Sequence, residues 1–320
     1  MINRLFKLKS MLMMLVLLTA ITASSNSAQA WNRAGHERIA EIAWGRLTPE
    51  AQKMVHKLLI SGVDSPGTPC DETSFINLPT PKDVFIGSAS WLDCARTTPP
   101  EEAHVMHADR TQLCPGVNLP SACKSRHCAS DALNSALEKF RDPQNSIRTR
   151  RIALKMIIHL MGDLHQPLHA AQAADPIHNG GTMKIITSPA AEPITMHQFW
   201  DSLPSRMVSA RASEYRISTP LLPEEDAPQW HFGTVDKWVS ETVSQTVEHV
   251  YYPPLKVAMC NPSLMQKPIL ITPAYMKQAK AFADYKVTQA GVRLARIINR
   301  VALGGATVSI GTPPQTKPRN

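Results

Sequence analysis

The segment IRTRRIALKMIIHLMGDLH, residues 147–165, constrains this chain more than any other stretch. Its apolar residues recur at helical spacing, and by composition it is the least exposed helix of the sequence. Yet it carries His159 and Asp163 four residues apart, on one face. A buried, unpaired carboxylate is costly, and a metal ion is the usual remedy. His169 follows Pro167, which ends or kinks the helix and turns the chain back. HLMGDLHQPLH (159–169) therefore gathers three potential metal ligands within a short reach. His165 lies two residues from Asp163, points elsewhere, and reads as an ordinary structural histidine.

Helical periodicity extends along most of the chain. It is visible in AGHERIAEIAWGRL (34–47), from Thr48-Pro49-Glu50 onward, and in ASDALNSALEKF (129–140). VDKWVSETVSQTVEHVYY (235–252) and the long amphipathic segment 273–303 repeat it, the latter with an expected break near Gly291. Thr48 is expected as an N-cap with Pro49 in the first turn. Only TMKIIT (182–187) reads as a strand. The predicted class is all-α: a single domain of long packed helices, with long loops at 62–90, 96–125 and 202–230. The tail from residue 304 to 320 lacks a core-facing pattern and is expected to be mobile.

The first thirty residues are expected to lie outside the fold. Arg4, Lys7 and Lys9 precede the apolar run MLMMLVLLTAITA, and Ala28-Gln29-Ala30 is a small-x-small cleavage signal. This is the pattern of a secretory signal peptide, too short to span a bilayer. Cleavage after Ala30 would place the α-amine on Trp31, with His36 five residues on. A free amine and the carbonyl of the same residue can chelate a metal.

The six cysteines are an even number, which in an exported protein reads as three disulfides. Paired CxxC spacing, as in zinc fingers, is absent. No permissive N-x-S/T sequon is present, which fits a secreted or periplasmic bacterial protein. The formal charge of +8 includes the three basic residues of the leader. The remaining excess suits an anionic substrate and is no polybasic nucleic-acid tail.

Further candidate ligands are scattered. HQFWD repeats the helical device, with His197 and Asp201 at i and i+4. SWLDCAR contributes Asp93, with Arg96 three residues on, and AHVMH offers His104 and His107. Taken singly, each is an ordinary structural residue.

Taken together, WNRAGH, SWLDCAR, HVMH, HLMGDLHQPLH, GGT and MHQFWD occur in order from Trp31 to Asp201. They closely resemble the motifs of the zinc-dependent single-strand-specific nucleases (the P-one/S-one type and mung bean nuclease), which share a fold with bacterial zinc phospholipases C. The resemblance implies a nuclease domain over 31–303 and a cleft with three zinc ions. Asp93, His104, His159 and Asp163 would hold the first; His169, His197 and Asp201 the second; the Trp31 amine and carbonyl, His36 and Asp163 the third. His107 is the alternative to His104. Asp93 would orient or accept a proton, and Arg96 would contact phosphate. Cys123–Cys128 and Cys114–Cys260 are the disulfides that the family pattern implies, which leaves Cys70 with Cys94.

The departures concern substrate choice. An aromatic that stacks on a nucleobase commonly follows the family's H-Y/F-V histidine, and this chain has Val105; the family's G-G-N reads Gly180-Gly181-Thr182. The implied activity is hydrolysis of single-stranded DNA and RNA to 5′-phosphate products, with 3′-nucleotidase action, in the periplasm or outside the cell, with no membrane anchor and no protein partner evident. The alternative is a phospholipase C-type hydrolase, against which stand the short W-x-x-x-G-H opening and Asp201 where the lipases carry Glu. A metal-binding secreted protein without turnover is the non-enzymatic alternative; a complete cage with Arg96 beside it argues against that.

Overall fold

The computed structural model describes residues 31–116, 128–174, 183–208, 230, 233–261, 263–264 and 267–304. The expected signal peptide, the tail beyond Gly304, the Gly180-Gly181-Thr182 motif, Cys123 and most of the expected loop at 202–230 lie outside the described residues.

Helices dominate. They are α1 (Arg33–Trp44), α2 (Pro49–Leu59), α3 (Thr73–Ile76), α4 (Pro81–Gly87), α5 (Trp91–Ala95), α6 (Ala129–Arg141), α7 (Ile147–Asp163), α8 (Pro167–Ala170), α9 (Met196–Val208), α10 (Val235–His249) and α11 (Pro273–Ala302). Two small sheets join them. β1 (Thr111–Gln112) pairs in parallel with β2 (Ala171–Gln172). β3 (Lys184–Ile186) lies between antiparallel β4 (Ile194–Thr195) and parallel β5 (Ile269–Leu270). The expected strand is thus β3, one of several short strands. The others are two residues long, too short for any alternation to be read from sequence.

Helix starts follow one chemistry. Thr48, Thr80 and Thr272 each accept a backbone N–H at the helix entrance, each followed by proline in the first turn. Ser146 caps α7 in the same way, accepting from Thr149 N. The stretch 62–90 is therefore not all loop, since α3 and α4 lie within it. At four and seven residues, these helices are too brief to display a helical period.

One contiguous core runs through the helices and contains Trp31, Ile39, Phe85, Leu133, Ile158, Trp200, Tyr275 and Leu294. Burying a large apolar side chain here contributes roughly 1.5–3 kcal/mol. The most extensive packing joins α6 to α7 and α11 to α1. The helix α11 passes Gly291 without a break. A Cβ at that position would stand 2.6 Å from Ile42 Cγ2 and 3.0 Å from the Ile39 carbonyl oxygen. Gly291 thus permits close approach to α1 rather than interrupting the helix. The disulfides Cys70–Cys94 and Cys114–Cys260 are formed. The Cys128 sulfur is buried and lies 3.4 Å from Ser130 Oγ and from Asp131 Oδ2.

Candidate metal centre

The side chains of His159 and Asp163 are fully buried at the end of α7. His159 Nδ1 donates to the Ala89 carbonyl oxygen at 2.8 Å, which leaves Nε2 turned to the cluster. That nitrogen lies 3.3 Å from Asp163 Oδ2 and 3.6 Å from Asp93 Oδ1. Asp93 comes from the short helix α5. His36, on α1, stacks on the His159 ring with centroids 3.9 Å apart, its Nε2 3.3 Å from Asp163 Oδ1. Gly162 makes this possible, because a Cβ there would stand 2.8 Å from His36 Nδ1. The glycine of the H-x-x-G-D motif is thus a matter of close approach.

His107, not His104, completes this first group. His107 Nδ1 lies 3.1 Å from Asp163 Oδ2, 3.1 Å from His159 Nε2 and 3.6 Å from Asp93 Oδ1. His104 is exposed and its Nε2 lies 2.9 Å from the Thr98 carbonyl oxygen. The reason is in the backbone that follows. Asp109 N and Arg110 N both donate to the His169 carbonyl oxygen at 2.9 Å, and β1 then pairs with β2. These bonds draw residues 107–112 against α8, while residue 104 stays on the surface. The residue after this histidine is Ala108, which is buried, so no stacking aromatic follows it.

A second group adjoins the first. His169 Nε2 lies 3.2 Å from His197 Nε2, which lies 3.2 Å from Asp201 Oδ2. His169 Nδ1 donates to the His107 carbonyl oxygen at 2.5 Å. Sequence reasoning missed Gln166. It is buried, donates from Nε2 to Asp201 Oδ1 at 2.6 Å, and accepts from Leu168 N at the start of α8. Its signal was its place in QPLH, between two potential ligands.

Trp31 is fully buried, and Asn32 N donates to the Asp201 carbonyl oxygen at 3.1 Å, which fastens the start of the domain to α9. Arg96 ends α5, half-buried, three residues beyond Asp93. His165 stays out of the cluster: Nδ1 donates to the Met161 carbonyl oxygen at 2.7 Å and Nε2 lies 2.9 Å from Arg293 Nη1.

Charge is divided unevenly among these groups. Burial pushes the Asp163 carboxyl up, but the imidazoles of His159 and His107 outweigh it and hold it well below the usual range. Burial works against a charged His159, yet Asp163 and Asp93 lift it to about 9. Burial raises Asp201 well above a normal carboxylate, and the charges of Asp163 and Asp93 add to this. His36 is lowered by burial and then by His159.

The donor set fits divalent metal ions. Both oxygens of Asp163, both ring nitrogens of His36, Asp93 Oδ1 and His107 Nε2 are buried, and among the described residues none makes a well-directed hydrogen bond despite the short imidazole–carboxylate contacts. Three groups of side chains offer ligand atoms close enough to share an ion: His36, Asp93 and His159; His107, His159 and Asp163; His169, His197 and Asp201. Asp163 turns one oxygen to His36 and the other to His107 and His159, as a bridging carboxylate would. Every donor is nitrogen or oxygen, a set suited to zinc and other hydrolytic cations.

Fold and site together define a helical protein with a buried histidine–aspartate centre whose side chains could hold metal ions. The chain belongs to the S1/P1 nuclease family, whose model matches residues 31–303. It is similar to Nuclease S1 of Aspergillus oryzae, with 25% identity over 68% of this chain and 70% of that protein. Nuclease P1 of Penicillium citrinum is 22% identical over 78% and 79%, respectively. Endonuclease 2 of Arabidopsis thaliana is 23% identical over 90% and 96%. Membership makes the protein a nuclease, a hydrolase of phosphodiester bonds in nucleic acid. No helix among the described residues is long and apolar enough to cross a membrane.

Proposed function

We propose that the protein is an exported zinc-dependent endonuclease that hydrolyses single-stranded DNA and RNA, leaving 5′-phosphates, with 3′-nucleotidase action. One observation carries the reading: buried imidazole and carboxylate atoms converge without well-directed hydrogen bonds among the described residues. Asp93, His107, His159 and Asp163 would hold one ion, and His169, His197 and Asp201 a second. The amine and carbonyl of a processed Trp31, with His36 and Asp163, would hold a third. Ions held there would supply a water of lowered pKa, near ~7, and positive charge for the phosphoryl oxygens. Asp93 orients the nucleophile and accepts its proton, and Arg96 takes a phosphoryl oxygen. Hydrogen bonds from His159 to Ala89 and from Gln166 to Asp201 hold ligands in orientation. The two disulfides support an oxidising compartment, outside the cell or in the periplasm. The phospholipase alternative has no comparable support among the relatives.

The test is metal content of the processed protein by mass spectrometry, with hydrolysis of bis-nitrophenyl phosphate before and after chelation. Zinc in the protein and chelator-sensitive turnover are expected, with single-stranded DNA cut and phosphatidylcholine left intact. Turnover that survives full metal removal would overturn the zinc reading.

A further inference from the structure

One strongly charged neighbour of the cluster has no role in the scheme above. Arg110 lies three residues beyond His107, and its backbone has φ 53°, the left-handed region. Among the described residues it is the only residue other than glycine found there. Such a conformation is disfavoured for a residue with a Cβ and persists only where the surroundings impose it. Here they do: Arg110 N donates to the His169 carbonyl oxygen, and β1 starts at the next residue.

The side chain is equally unusual. Arg110 Nε is buried and has no hydrogen-bond partner among the described residues, although the residue as a whole is only half-buried. Among the described residues no carboxylate forms an ion pair with it, and burial is the only influence on its charge. Arg293, another buried arginine, differs: Glu241 counters its burial and accepts from Nη2 at 2.6 Å. The 2.9 Å bond from Arg110 N to the His169 carbonyl oxygen seats the residue directly against the second ligand group. A partly desolvated cation without a carboxylate, beside a centre fitted for divalent cations, is unfavourable until an anion arrives.

We infer that Arg110 is a substrate-binding residue, a receptor for a phosphoryl oxygen of the nucleic-acid backbone at the His169–His197–Asp201 side of the centre. It is distinct from Arg96, which follows Asp93 on α5. The inference rests on the nuclease reading for its substrate, but the anion site itself can be tested without turnover. Glycine would suit the backbone at this position better, so the arginine side chain is carried at a conformational cost.

Inorganic phosphate serves as the probe, titrated calorimetrically into metal-loaded wild type, Arg110→Gln, Arg110→Lys and Arg110→Gly. Metal content should be unchanged in all four. Phosphate affinity should fall about tenfold or more in Arg110→Gln, the loss of a charge-assisted hydrogen bond, and less in Arg110→Lys. On single-stranded DNA, Arg110→Gln should raise KM more than it lowers kcat. Arg110→Gly should melt no lower than wild type and still bind phosphate as weakly as Arg110→Gln. Unchanged phosphate affinity in the Gln and Gly variants would overturn the inference, as would loss of metal in Arg110→Gln, which would make the residue a prop for His169. Failure of wild type to bind phosphate overturns it as well. Wild type that binds phosphate through Arg110 but cleaves no nucleic acid would instead refute the nuclease reading alone.

Discussion

Arg151, Lys155, His159 and Asp163 follow one another at four-residue intervals along α7, one buried stripe on one helix. Its two halves solve the burial of charge in opposite ways. In the first half, Arg151 donates from Nε to Asp64 Oδ2 at 2.8 Å and from Nη1 to Ser61 Oγ at 2.7 Å. Lys155 Nζ donates to Asp64 Oδ2 at 2.9 Å and to Glu72 Oε1, and sits 3.5 Å from the centroid of a Trp91 ring. Glu72 also accepts from Asp64 N and Ser65 N. In the second half, both oxygens of Asp163 and both ring nitrogens of His36 make no well-directed hydrogen bond among the described residues. Two buried cations face two carboxylates in the first network, with the exposed Arg148 3.6 Å from Asp64 Oδ1 at its edge, so that both carboxylates are paired. The second gathers imidazole nitrogens and carboxylate oxygens whose partnering is incomplete and whose atoms converge as ligands of an ion would. Burial of charged groups does not by itself mark a site; incomplete satisfaction with convergent geometry does.

The largest effects should separate the halves cleanly. Asp163→Ala should lose at least one metal ion and lower phosphodiesterase turnover by ~100-fold or more. Metal content and activity equal to wild type would break the comparison at its functional end. Lys155→Met should do the reverse. It leaves Asp64 and Glu72 buried with one cation fewer, a change that costs about 3–5 kcal/mol. Chemical denaturation should report that loss, while metal per folded molecule stays at the wild-type value. A Lys155→Met protein of normal stability that bound less metal would show that the two halves are one unit.

Much of the second half was legible from sequence, because His159 and Asp163 cannot sit in an apolar helix without a partner of some kind. His197 and Asp201 repeat the same spacing, and both pairs lie in the centre. The first half was not legible. Its partners Asp64 and Glu72 precede α7 by some eighty residues and lie where no helical period is visible, so nothing local marks them. The approach of His107 rather than His104 to the cluster was not legible for a related reason. It depends on backbone bonds from Asp109 and Arg110 to His169, which bring distant segments together. The expected break at Gly291 misread a contact with Ile42 as a weakness of the helix. Long helices were read from period and capping alone, and the short α3 and α4 were missed because neither completes two turns.

A smaller effect should sharpen the boundary of the centre. Gln166 holds Asp201 through a single hydrogen bond and is not itself a metal-type ligand. Gln166→Ala should weaken metal binding at the His169–His197–Asp201 group by roughly 10–100-fold, as the loss of an orienting partner does. The first group, held by Asp163, should keep its ion. Stepwise competition with a chelator, followed by mass spectrometry, separates these outcomes. Simultaneous loss of all metal would mean that the two groups bind as one.

The smallest effect concerns acid, and it belongs to the satisfied half. Burial pushes the Asp64 carboxyl up, but hydrogen bonding to Arg151 and the charge of Lys155 outweigh this and hold it below its ordinary value. A carboxylate whose folded pKa lies below its unfolded value of about 3.9 contributes stability that is fully present above that pH. The contribution is lost as pH falls through the folded pKa, because the unfolded chain then takes up the proton first. Asp64→Asn cannot titrate at this position, so its stability should lie below wild type near neutrality, with the gap closing below about pH 4. Protonation of the ligand histidines also destabilises any metal-loaded form in acid. That term is common to both proteins and cancels in their difference, provided that the two halves of α7 act independently. Measuring unfolding free energy against pH for both proteins tests the sign and the independence together. A gap that stayed constant through the acid range would show that Asp64 is not held low. A gap that changed with added zinc would show that the ion-pair network and the metal centre are coupled through α7.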